Sequence, residues 1–261
     1  MIRIKNKKKY GQHFLNNEEV AVRIITLLSE KSNIIEIGPG KGVLTKYLLN
    51  EKIDNFIVNE IDNDCIFYLK EHFPNNLKII HEDVLNIDFS LLFKSKFSII
   101  SNLPYYISSQ ILFKILDNRL IISEFVILIQ KEVGERICSN YNNKSYGILS
   151  VLMQTYFNLN LEFIVDPISF NPKPKVYSAV VKGTRNKVID IGVDYNFYKK
   201  IIKQSFQNRR KTLRNSLKNL NLPLAFIKNN IFSKRAEQLK ISEFIWLANE
   251  IKKINHEILP N

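Results

Sequence analysis

Residues 33–51 read NIIEIGPGKGVLTKYLLNE. The short apolar run over 33–37 reads as a buried strand. Gly38, Gly40 and Gly42 follow at alternate positions, separated by Pro39 and Lys41. From about Val43 the apolar positions recur at helical spacing. Strand, glycine-rich turn and helix in that order fit a tight strand–helix turn or the opening of a nucleotide-binding βαβ unit. The glycines let the backbone turn sharply and approach a ligand closely. Their spacing is G-x-G-x-G, which departs from the dinucleotide fingerprint G-x-G-x-x-G.

The same alternation extends outward. EVAVRIITLLSE (19–30) predicts a helix before the first strand. NFIVNEID (55–62) predicts a second strand, with a helix over 63–72. LKIIHED (77–83) predicts a third strand, and FSIISN (97–102) a fourth, with a helix over 108–117. EFVILIQKE (124–132) predicts a fifth, followed by a helical stretch through Ile137. Strands alternating with helices imply a parallel sheet covered on both faces. NNKSYGILSVLMQTYF (142–157) reads as helical. NLEFIVD (160–166) and YSAVVKG (177–183) then flank the Pro-rich loop PISFNPKPK (167–175). They predict an antiparallel addition at one sheet edge. From about Lys187 the chain turns helical and basic. The expected fold is α/β: a Rossmann-like domain with a mostly parallel, seven-stranded sheet over residues 11–185. A basic arm over 1–10 precedes it, and a small all-α domain over 186–261 follows.

Charge divides the chain in the same places. The net charge is +13, and residues 1–10 carry +5 of it while residues 186–261 carry +9. The middle is close to neutral, so both ends point to a polyanionic partner, nucleic acid before membrane. No apolar run is long enough to span a bilayer. The N-terminal stretch lacks the apolar core of a secretory leader. Cys65 and Cys138 lie far apart, which fits a reducing compartment and no disulfide framework. His13, His72, His81 and His256 do not cluster with them, and no metal-ligand spacing is present. A cytoplasmic monomer is expected.

Polar residues stand where strands end. Glu60 closes the second strand, 20 residues after Gly40, where an acid can accept hydrogen bonds from ribose hydroxyls. Asp83 closes the third, and Asn102 the fourth. In a parallel sheet these groups emerge at one edge, where ligands bind. A nucleoside-type cofactor follows, and both NAD and S-adenosylmethionine fit this much. The fourth strand end separates them, because a dehydrogenase has no use for Asn102-Leu103-Pro104-Tyr105.

That stretch, NLPY (102–105), resembles the [DNS]-[IL]-P-[PY] signature of amino-group methyltransferases. GQHFL (11–15), EIGPGKG (36–42), QKEVGERI (130–137), FNPKPKVYSAVV (170–181), NRRKTLRNSL (208–217) and RAEQLKISEFIWLAN (235–249) all resemble one family. It is the ribosomal RNA adenine dimethylase family, and the match runs in order over about residues 8–250. The resemblance implies S-adenosylmethionine as cofactor and two adjacent adenines in the 3′-terminal hairpin loop of small-subunit rRNA as target, within the pre-30S particle. It implies that His13, Leu15, Gly38, Gly40, Ile61 and Val84 line the cofactor pocket. Glu60 would bind the ribose, Asp83 the adenine edge, and Asn102 would lie between cofactor and target base. Tyr106 departs from the Asn usual in the family after NLPY.

The chemistry suits the residues. Adenine's exocyclic nitrogen is a poor nucleophile because its lone pair is delocalised into the ring. The Asn102 side-chain oxygen and the Leu103 carbonyl can each accept a hydrogen from it, stabilising the positive charge that develops there. Pro104 restricts Leu103 and steers its carbonyl. Tyr105, with Phe170 as the second aromatic, would sandwich a base taken out of its stack. Arg209, Arg210, Lys211 and Arg214 are the expected phosphate contacts, with Arg210 and Arg214 on one face if that stretch is helical. Lys7, Lys8 and Lys9 would form an arm that orders on RNA. A large-subunit rRNA methyltransferase giving antibiotic resistance and a non-catalytic assembly factor are the alternatives at this point.

Overall fold

The structure, a computed structural model, describes Lys7 and residues 11–258. The expected arm over 1–10 therefore lies outside the described residues except for Lys7.

Contacts divide the chain into two compact units, each with its own core. The first holds the chain through Glu135 together with Phe157–Asn186. Its strands are β1 (Phe14–Leu15), β2 (Asn33–Ile37), β3 (Asn55–Glu60), β4 (Lys78–His81), β5 (Phe97–Asn102), β6 (Ile122–Gln130), β7 (Phe157–Val165), β8 (Phe170–Asn171) and β9 (Ser178–Arg185). Seven form one sheet in the order β4-β3-β2-β5-β6-β9-β7. The first five run parallel. β9 pairs antiparallel with β6 and with β7, the expected edge addition. Every residue of β2 is buried, as a central strand covered on both faces requires.

The strand order places the ligand site. The chain leaves β2 for β3 and β4 on one side, then returns to β5 on the other. The reversal opens a crevice beyond the carboxyl ends of β2 and β5, where doubly wound sheets bind ligands. The glycine turn leads from β2 into helix α2 (Val43–Leu48), and Asn102 ends β5. Helices α3 (Asn63–His72) and α4 (Ser108–Asp117) follow β3 and β5 over the residues that periodicity predicts. Helix α1 (Glu18–Thr26) stops short of Glu30. β1 and β8 form a separate two-stranded antiparallel sheet, with Phe14 opposite Asn171 and Leu15 opposite Phe170. Two motifs more than 150 residues apart are thereby joined, and the Asn16 N–H donates to the Ser169 carbonyl at 2.9 Å.

The second unit holds Arg136–Tyr156 and the chain from Lys187 onward. Its main helices are α6 (Ile148–Tyr156), α7 (Tyr195–Phe206) and α10 (Ile241–Ile258), with short helices α8 (Leu213–Ser216) and α9 (Leu224–Ile227) between; α5 (Lys131–Ile137) leads into it. The division differs from the expected 11–185 and 186–261 in one segment, since residues 136–156 pack with the C-terminal helices. Val151, Leu152 and Thr155 of α6 are buried, as are Tyr198 and Ile202 of α7 and Phe244 and Ile251 of α10. Thr155 Oγ1 and Tyr198 Oη share a hydrogen bond of 3.1 Å. The α6 face is apolar, and periodicity states that a face is buried without naming its partner.

Candidate active site

A cavity of about 310 Å³ opens at the carboxyl ends of β2, β3 and β5, and Gly38, Gly40, Glu60, Asp83 and Asn102 line it. Its size is that of a small-molecule site. Gly38 and Gly40 have φ of +67° and +58°, a region that favours glycine. A Cβ on Gly40 would lie 2.8 Å from the Phe14 ring, so the turn closes directly on that ring. A Cβ on Gly38 would meet nothing within 4 Å, which leaves its backbone open to a ligand.

Glu60 is buried and heavily engaged. One carboxylate oxygen accepts the Gly40 N–H at 3.0 Å. The other accepts the Ile61 and Asp62 N–H groups, both at 2.9 Å. Burial pushes its carboxyl above the usual range, against the pull of these N–H donors. Glu60 thus holds the glycine turn to the end of β3 as well as facing the cavity. Asp83 spends one oxygen on the Leu85 N–H at 2.9 Å. Val84 and Leu15 are buried cavity-wall residues, and Ile61 and His13 complete the predicted lining.

Sequence reasoning missed Glu36 and Gln12, which also line the cavity. Glu36, inside β2, accepts the Thr45 hydroxyl at 2.6 Å, and burial pushes its carboxyl up to about 8. An acid inside an apolar strand is the signal that could have found it. Gln12 donates to Asp62 Oδ2 at 2.7 Å. The Lys7 ammonium pairs with Asp62 and, at 2.8 Å, with Asp64, so Lys7 is tied to α3.

At the end of β5, the Asn102 amide nitrogen donates to the His13 carbonyl at 3.0 Å. A carbonyl can only accept, so this bond fixes which way the amide points. Oδ1 is left without a hydrogen bond among the described residues. The Leu103 N–H continues the ladder to the Leu128 carbonyl at 3.0 Å, while its own carbonyl accepts none among the described residues. Pro104 has φ −59° and ψ 129° and starts a short 3₁₀ turn over Tyr105–Ile107. Tyr105 Oη bonds Ser178 Oγ at 2.7 Å. Its ring stacks on His13 with centroids 5.4 Å apart. His13 Nδ1 in turn donates to the Pro172 carbonyl at 2.7 Å.

Two expectations are corrected. Phe170 was expected to present a stacking face, but it is 3% exposed and packs in the core with Leu15, Val165 and Val180. Its place opposite Leu15 in the small sheet turns the ring inward. The second correction concerns the basic cluster. Residues 207–211 form a turn between α7 and α8, closed by the Lys211 N–H on the Asn208 carbonyl at 2.8 Å, so Arg210 and Arg214 share no helix face. Arg209 donates to the Lys144 and Tyr146 carbonyls at 2.9 and 2.6 Å, a tie within the helical unit. Arg214 reaches the Ile227 carbonyl at 3.3 Å. Arg210 and Lys211 are exposed, with no ion pair among the described residues.

Comparison with known proteins decides what the cavity belongs to. The family model for ribosomal RNA adenine dimethylase matches residues 3–253. The chain belongs to the ribosomal RNA adenine dimethylase family. A "Ribosomal RNA small subunit methyltransferase A" from Flavobacterium johnsoniae is 45% identical, over 97% of this chain and 98% of that protein. One of the same name from Cytophaga hutchinsonii is 44% identical, over 95% and 98%. Among solved structures, a dimethyladenosine transferase from Plasmodium falciparum superposes with a TM-score of 0.82 at 26% identity, covering 93% of this chain and 98% of that one. The 23S rRNA methyltransferase ErmE gives 0.67 at 20% identity over 93% and 99%, a likeness of fold.

The dimethylase family uses S-adenosylmethionine, and the cavity fits it. Gly38 offers bare backbone for a close approach, and Glu60 and Asp83 set carboxylates at successive strand ends for hydroxyl and amine donors. Bound there, the cofactor supplies an electrophilic methyl group. Among the described residues, no cluster of His, Cys, Asp or Glu could hold a metal, and no helix is long and apolar enough to cross a membrane.

Proposed function

We propose that the protein dimethylates the N6-amino groups of two adjacent adenines in the 3′-terminal hairpin loop of small-subunit rRNA, as a cytoplasmic monomer acting on the pre-30S particle. The observation that carries this reading is the Asn102 amide. With its nitrogen committed to the His13 carbonyl, Oδ1 becomes a fixed acceptor at the cavity wall. Leu103, also on that wall, supplies a second acceptor through its carbonyl. Two acceptors match the two hydrogens of an adenine amino group. Holding both favours a more tetrahedral nitrogen, aims its lone pair, and stabilises the charge that develops as it is methylated.

The ring of the target lies against Tyr105, whose orientation is set by Ser178 on its hydroxyl and His13 behind it. The proton leaves readily once the nitrogen carries a positive charge, so no strong general base is needed. The small-subunit target is supported by the relatives' names at 44–45% identity. Exposed Arg210 and Lys211 suit rRNA phosphates.

The test is to incubate the protein with methyl-labelled S-adenosylmethionine and small or large subunits from cells lacking the gene. Label should appear as dimethyladenosine in the 3′-terminal loop of small-subunit rRNA. Label confined to large-subunit rRNA, or none at all, refutes the reading.

A further inference from the structure

We propose that Tyr106 is the platform on which the neighbour of the target adenine stacks while the target occupies the cavity. The inference rests on the dimethylation reading and adds a binding site to it. A 3₁₀ turn has three residues per turn, so consecutive side chains diverge by about 120°. Over Tyr105–Ile107 this sends Tyr105 inward to Ser178 and Tyr106 outward. Tyr106 is 55% exposed yet lines the cavity, which places its ring on the rim. The ring lies against the turn that precedes β1: a Cβ added to Gly11 would come 3.2 Å from Tyr106 Cδ1.

The substrate supplies the reason for such a ring. The two target adenines are consecutive, and among the described residues one such cavity stands at the strand ends to serve both, so they enter in turn. Whichever is outside sits one nucleotide from the mouth, unpaired, with a bare π-face. Unpaired bases are held on aromatic side chains, and each such stack is worth roughly a tenfold or greater change in affinity. Phe170 is buried in the core and presents no exposed ring face in this structure. Tyr106 presents a large, half-exposed aromatic surface at the required place. Because the ring is on the rim, it serves either adenine, whichever is outside.

A double-mutant cycle tests this. Wild type, Tyr106→Ala and Tyr106→Phe are assayed on small subunits assembled around a 3′-terminal rRNA segment. That segment carries either both adenines or an abasic site at one of them. On the two-adenine RNA, Tyr106→Ala should raise KM about tenfold, and Tyr106→Phe should stay near wild type because the ring is kept. On the abasic RNA, wild type should already show the raised KM, and Tyr106→Ala should add nothing. Calorimetry should give all three proteins the same affinity for S-adenosylmethionine. An equal Tyr106→Ala penalty on both RNAs, no penalty on either, or a matching loss of cofactor affinity overturns the proposal. If wild type labels neither RNA, the dimethylation reading itself falls and takes this one with it.

Discussion

Asn102→Asp separates an oriented amide from a mere acceptor. Aspartate keeps an oxygen at the Oδ1 position, so a site that needs only an acceptor would tolerate it. The wild-type geometry says otherwise, because the amide nitrogen donates to the His13 carbonyl at 3.0 Å. The substitution removes that hydrogen bond. It also sets a carboxylate oxygen against a carbonyl oxygen and strands that half-buried acceptor, at about 1–3 kcal/mol. The carboxylate therefore swings away, and the acceptor for the amino group goes with it. A loss of about 1–3 kcal/mol lowers kcat/KM about 5- to 160-fold. The assay is the initial rate of label transfer to small subunits, with cofactor affinity measured in parallel. The pH dependence has a definite sign. A protonated Asp regains an O–H that can donate to His13, so the ratio of variant to wild-type activity should rise as pH falls. A variant within threefold of wild type at about pH 8, or a ratio that does not change with pH, would refute the reasoning.

Phe170→Ala should act as a core truncation, costing about 3–5 kcal/mol and lowering Tm by about 6–20 °C; an unchanged Tm with weakened RNA binding would restore Phe170 as a stacking face. Glu36→Gln should expose a pH dependence. Burial raises the Glu36 carboxyl from 4.5 to about 8, so its contribution to stability is full below 4.5 and is lost as pH rises towards 8. Urea unfolding should show wild type losing stability relative to the variant across that window, by at most about 1.4 kcal/mol per pH unit. Arg209→Ala should lower the Tm, because its guanidinium holds the Lys144 and Tyr146 carbonyls. The double variant Arg210→Ala/Lys211→Ala should leave Tm unchanged and reduce the salt slope of rRNA binding by about 1.4–1.8, read from filter binding at several salt concentrations.

Much of the fold was legible because burial on both faces imposes local patterns. The glycine turn, the helix start at Val43 and the helices Asn63–His72 and Ser108–Asp117 stand where periodicity put them. The cavity residues at strand ends were legible for a related reason: a parallel sheet sends the carboxyl ends of its strands to one edge. Only their bonding was not. That the Glu60 carboxylate also anchors Gly40, and that the Asn102 amide is aimed by a backbone carbonyl, depends on angles that no spacing encodes.

The order of elements, the polar residues at the sheet edge and, through the motifs, the family can all be read from the chain's residues alone. Tertiary structure decided the rest. It paired β1 with β8, and in doing so turned Phe170 into core and brought His13 to Tyr105 and Asn102. It gave residues 136–156 to the helical unit and broke the basic cluster with a turn at 207–211. The physical reason is common to these cases. An apolar or polar pattern fixes that a side chain is buried or exposed, whereas its partner is chosen by whichever distant surface completes the packing and satisfies the backbone hydrogen bonds.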